Sequence, residues 1–81
     1  MQKINFHDVI DSIKDPWEPI DIAFVSDAAL RVAMIHGAYD WHIHRLEDEL
    51  FFVLKGKIYI DTEQGTIELN ELEGFLVKKG I

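Results

Sequence analysis

Residues 42–56 run His42-Ile43-His44-Arg45-Leu46-Glu47-Asp48-Glu49-Leu50-Phe51-Phe52-Val53-Leu54-Lys55-Gly56: two histidines one residue apart, a carboxylate, then an apolar run closed by glycine. Side chains alternate across a strand, so His42 and His44 share one face. Glu49 can return beside them once the chain bends. Two neutral imidazole nitrogens and one anionic oxygen directed at one point suit a divalent transition metal such as Zn, Mn, Fe, Ni or Cu. The plainer alternative is that His42 and His44 are polar strand residues in a hydrogen-bonded pocket. Glu49 carries independent weight. It shares parity with Phe51 and Val53, while Leu50, Phe52 and Leu54 take the other side. With both sides apolar, Glu49 is expected among buried positions, where a carboxylate needs a cation, a donor or a proton.

The surrounding residues rank below these. Glu47 and Asp48 are expected on a solvated connection. Asp40 shares parity with the histidines and is either a partner that orients an imidazole or an exposed turn acid. His36 is expected to be an exposed strand residue, and His7 to lie on the polar side of a helix. Trp17, Tyr39, Trp41 and Tyr59 are expected as core or interface, with an aromatic ligand wall as the alternative. No serine has a base beside it and cysteine is absent, which argues against covalent catalysis of the triad type.

The 81 residues suffice for one domain near the lower limit of an independent core, and the 48% apolar content is that of a globular chain. No disulfide or thiolate site exists without cysteine, which fits a cytoplasmic setting. Eight Lys and Arg against fifteen Asp and Glu leave a formal charge of −7, which argues against nucleic acid or an anionic membrane surface as partner. No leader-like opening and no membrane-length apolar run is read in the sequence.

Along the chain, Phe6, Val9, Ile10 and Ile13 recur at helical spacing over residues 4–13, with Asn5 as N-cap. Asp15-Pro16-Trp17-Glu18-Pro19 stops that helix. Strands are expected at Ile20–Val25, Leu30–His36, Tyr39–His44, Glu49–Leu54, Lys57–Thr62, Thr66–Leu69 and Phe75–Val77, punctuated by turns. Gly37, Gly56, Gly65 and Gly74 are expected to supply positive φ in those turns. Short, regularly spaced strands predict an antiparallel sandwich or barrel.

Gly37-(x4)-His42-x-His44-(x4)-Glu49-(x6)-Gly56 resembles the first motif of the cupins. Trp41-His42-Ile43-His44 and Glu47-Asp48-Glu49-Leu50-Phe51-Phe52-Val53-Leu54-Lys55-Gly56 are most similar to the small single-domain cupins labelled mannose-6-phosphate isomerase-like. The opening helix and Trp17-Glu18-Pro19 resemble that group's lead-in. The resemblance implies an all-β jelly-roll barrel, a double-stranded β-helix, in a single domain over 1–81: a helical lead-in at 1–19 and barrel strands at 20–81. It also implies His42, His44 and Glu49 as metal ligands and a preference for homodimers. Gly74–Ile81 resembles the start of the second cupin motif, with Lys78 where the family has proline, and the sequence stops before that motif's histidine. The expectation is a chain that is truncated, or completed by a partner, and lacks its last strands.

Two functions follow as expectations. One is a small cupin whose divalent metal acts on a small-molecule ligand, with isomerase-like or dioxygenase-like chemistry equally consistent. The other is a non-catalytic ligand-binding or dimerising β-domain with a relic pocket.

Overall fold

The computed structural model describes residues 1–36, 38–40, 46–62 and 64–80, with the backbone alone at 38–40. Within these residues the chain is mostly short β-strands after one short helix. They fall into two compact units, Met1–His36 and Gly37–Ile81.

The first unit opens with α1 (Phe6–Ser12). Asn5 caps it as expected: its side-chain oxygen accepts the backbone N–H of His7 at 2.9 Å and of Asp8 at 3.3 Å, satisfying two donors that the first helical turn leaves open. The helix ends before the proline-bounded stretch, where Trp17 N–H donates to the Met34 carbonyl at 2.8 Å. β1 (Ile20–Val25) and β2 (Ala28–Val32) then form an antiparallel hairpin. The pairing shifts between Asp21 and Ala23, leaving Ile22 as an extra residue on β1. Ile22 and Ala23 are consequently both half-buried, because a bulge breaks strict alternation.

The sequence predicts the second strand at 30–36, whereas β2 occupies 28–32. Its partner explains the difference. The two-residue Ser26-Asp27 turn, with Ser26 at φ 52°, brings Ala28 straight into register with Val25. Beyond Val32 the β1 ladder is used up, because Ile20 is the first residue of β1, and Met34 makes only an isolated bridge to Pro16.

The second unit contains β3 (Ala38–Asp40), β4 (Glu49–Phe52), β5 (Ile58–Thr62), β6 (Gly65–Leu69) and β7 (Gly74–Val77). β5 pairs with β6 and β4 with β7, both antiparallel, and β3 lies on the other edge of β5. The β3–β5 pair is parallel, with Tyr39 in register with Ile60 and Asp40 with Asp61. This departs from the all-antiparallel expectation. Between β3 and β5 the chain passes through β4, which belongs to the other sheet. A crossover of that kind returns a strand in its original direction.

One apolar core joins the two sheets of this unit. Val53, Ile60, Leu69 and Val77 are buried, Ile60 completely, and Phe51, Ile58, Ile67 and Phe75 pack against them. The register explains the set: Ile58 pairs with Leu69 and Ile60 with Ile67 on one sheet, and Phe51 with Phe75 and Glu49 with Val77 on the other. Cross-strand partners point to the same side, so each sheet turns an apolar face inward, with Glu49 at one end of the second.

The connections close through polar contacts. Thr62 Oγ1 donates to the Gly65 carbonyl at 2.7 Å and accepts from Gln64 N–H at 3.2 Å. At the next turn Glu73 N–H donates to the Asn70 carbonyl at 3.0 Å, and Asn70 N–H donates to Glu73 Oε1 at 2.7 Å. Gly56 and Gly65 have positive φ, as expected of turn glycines. Gly74 does not. It lies within β7 opposite Phe52, where close approach of the neighbouring strand calls for glycine.

Candidate functional site

Glu49 opens β4 and is half-buried. Its cross-strand partner is Val77, one of the four buried core residues, so its carboxylate belongs to the inward side of the β4–β7 pair, with Phe51 and Val53. That is the side alternation assigns to it. The other side needs correction. Leu50 and Phe52 are 66% and 51% exposed, and Leu76, paired with Leu50, is 56% exposed. The apolar run 50–54 therefore has only one face in the core, and Glu49 lies on it at the end where the ladder begins.

A carboxylate at such a position is an anionic oxygen donor at the rim of an apolar layer. This fits the oxygen ligand of a mixed nitrogen and oxygen metal set. The two nitrogen ligands read from the sequence, His42 and His44, lie outside the described residues, as does Trp41. Among the described residues, no three His, Cys, Asp or Glu side chains gather closely enough to hold a metal ion.

Asp40 ends β3 in register with Asp61. Asp61 Oδ1 accepts the Thr66 hydroxyl at 2.8 Å, which ties the neighbouring strands together. Glu47 is exposed, as are His36 and His7, and His36 follows β2 rather than lying within it. Trp17 and Tyr59 are partly exposed at 47% and 41%, so neither is plain core.

Asp48 is the residue that sequence reasoning undervalued. Its Oδ2 accepts the Lys78 ammonium at 3.0 Å and its Oδ1 accepts the backbone N–H of Lys79 at 2.9 Å. It is exposed, as expected of the connection, but it is not merely solvated. The Lys79 N–H, and then the Lys78 side chain, hold the Asp48 carboxyl below the usual carboxylate range. The available signal was Lys78 itself, a cation directly after the strand expected at Phe75–Val77. A second ion pair, Lys57 with Glu68 at 2.9 Å, lies where β5 meets β6 and raises the Lys57 ammonium above its ordinary value, through the Glu68 hydrogen bond first.

In the first unit, an open cleft of about 460 Å³ between the N-terminal segment, α1 and β1 is lined by Lys3, Asn5, Asp8 and Ile22 among others. Gln2 Nε2 donates to the Ile22 carbonyl at 3.1 Å across it. Asn5 is already used as the helix cap, and Lys3 and Asp8 alone make no acid–base or metal constellation. No helix among the described residues is long and apolar enough to cross a membrane.

No protein-family model matches the chain, and no solved structure matches it. Among curated proteins it is similar to the uncharacterized protein YdbB of Bacillus subtilis (strain 168), with 36% identity over 73 residues. The matched region covers 89% of this chain and 65% of that relative, so the chain spans just under two thirds of the curated protein it matches.

Proposed function

We propose that this chain is a small cupin-type jelly-roll domain that holds a divalent transition metal through His42, His44 and Glu49 and presents it to a small-molecule ligand. The observation that carries the reading is the position of Glu49, half-buried at the head of β4 and on the same side as Val77 and Phe51. A half-buried carboxylate fixed at the head of a strand is an oxygen donor of the kind that a divalent transition metal takes beside imidazole nitrogen. The His-x-His pair, seven and five residues upstream, supplies the matching nitrogen donors.

Bound there, a divalent ion supplies Lewis acidity, or oxygen binding if it is redox-active. The contribution of the chain is positional. Glu49 holds one anionic oxygen on a strand rather than on a loop, and the core behind it excludes water from one side. Isomerase-like and dioxygenase-like chemistry are both compatible, and a cytoplasmic location accompanies the proposal. The test is elemental analysis of protein purified without added metal or chelator, beside His42→Ala. One transition metal per chain, lost in the variant, is the expected result. Absence of metal from wild type after reconstitution with Mn, Fe, Ni, Cu and Zn would overturn the reading.

A second reading, a dimerising β-domain without catalysis, has its own observation. Leu50, Phe52 and Leu76 form an exposed apolar row on the outward side of β4 and β7, and rows of this kind mark interaction surfaces.

A further inference from the structure

We propose that Asp48 is a positioning residue for Glu49, acting through the backbone by gripping the chain just beyond β7. The inference rests on the metal-site reading of Glu49. The β4–β7 ladder has its last pair at Glu49 and Val77. One step further the carboxylate of Asp48 takes over, accepting from Lys79 N–H and from Lys78 Nζ at 2.9 Å and 3.0 Å. Asp48 lies one residue before β4, and both of its carboxylate oxygens are engaged by Lys78 and Lys79. It can therefore hold the strand without entering the site.

The strength of the contact supports this role more than a stabilising one. Asp48 and Lys78 are both well exposed, and an exposed ion pair contributes little to stability. A backbone N–H captured at the same time is different, because it fixes where two segments thirty residues apart in sequence meet. Glu49 is thereby held on both sides, by the Leu50–Leu76 pair following it and by the Asp48 grip preceding it. Ligand strands need that restraint, since a ligand that wanders binds its metal weakly; contacts made directly to a ligand are worth about 10–100-fold in metal affinity, and one acting through the backbone belongs at the low end.

The test is a Co(II) titration of wild type, Asp48→Ala, Asp48→Asn and Thr66→Val, read by the visible d–d bands. Thr66→Val removes a side-chain hydrogen bond elsewhere in the same unit, to Asp61, and controls for general loosening. Asparagine keeps an oxygen for the Lys79 N–H and loses only the ion pair. Asp48→Ala is expected to weaken Co(II) binding about tenfold, with Asp48→Asn close to wild type and Thr66→Val unchanged. Unaltered affinity in Asp48→Ala, or an equal loss in Thr66→Val, would overturn the proposal. If wild type itself binds no Co(II), the metal reading falls, and the cross-strand backbone contact between Glu49 and Val77 in NMR spectra decides the remainder. Its loss in Asp48→Ala alone sustains the positioning role, and its persistence overturns it.

Discussion

Phe52 and Gly74 face each other across β4 and β7, and the absent side chain at 74 leaves the space that the phenyl ring and strand occupy. A methyl group built on Gly74 would stand 3.3 Å from the Phe51 carbonyl oxygen and 3.5 Å from Phe52 Cδ2. The first contact involves backbone, which yields less readily than a side chain.

Gly74→Ala is therefore expected to destabilise the protein by about 1 kcal/mol, the low end of overpacking costs. Without the clash, replacing a glycine of ordinary φ would stabilise by roughly 0.4–1 kcal/mol. The sign of the change in urea midpoint separates the two cases, and a gain would show that the strands do not approach so closely.

Leu72 presents the opposite situation. It holds a φ of 66° in the turn between β6 and β7, a conformation that favours glycine, and is exposed. Leu72→Gly relieves a backbone cost of roughly 1–2 kcal/mol and loses little burial. A higher melting temperature, corresponding to about 0.5–1 kcal/mol after the entropy cost of glycine, is the expected outcome in a thermal scan.

Asp48 makes stability depend on pH in acid. Its carboxyl is held below the ordinary value of 3.8 by Lys79 and Lys78. In the window between the folded and unfolded values the unfolded chain binds the extra proton, so stability rises with pH there. The contribution is present above the ordinary value and disappears as pH falls through the lowered one. Asp48→Asn lacks this dependence. The gap between wild type and Asp48→Asn in denaturant midpoint should thus narrow as pH is lowered through that window, and a gap that stays constant or widens would contradict the ion-pair geometry.

The outward row on β4 and β7 can be tested by charge. Leu50→Lys/Leu76→Lys places two ammonium groups at solvent-exposed positions, where surface changes usually shift stability by less than about 0.5 kcal/mol. If the row is a contact between copies, sedimentation velocity should show wild type as a dimer and the double variant as a monomer of similar melting temperature. A monomeric wild type would remove the dimerising reading.

The strand Ile20–Val25 is legible because Pro19 fences its start and Ser26-Asp27 closes its end. The end of β2 is not, because the length of its partner decides it. Gly74 reads as a turn glycine from its neighbours in sequence, yet the reason for glycine there is a residue more than twenty positions away. The inward side of Glu49 follows from alternation alone. Which side of the 50–54 run is covered does not, since Leu and Phe occur on both and only the packing of β5 and β6 chooses between them. Asp48 falls between these cases: its type and place are visible, while its partners at 78 and 79 emerge only from the register of β7. His42 and His44 remain sequence expectations, being outside the described residues.

β3 is three residues long and finds β5 only after the chain has gone through the opposite sheet. The β5–β6 hairpin joins sequence neighbours and can close within about 1–10 μs, whereas β3 must wait for a template and pay for a long loop. It is thus a late arrival on the folding route. An occupant that tied β3 down would leave the folding rate almost untouched and slow unfolding instead, lengthening the lifetime of the native state without speeding its formation.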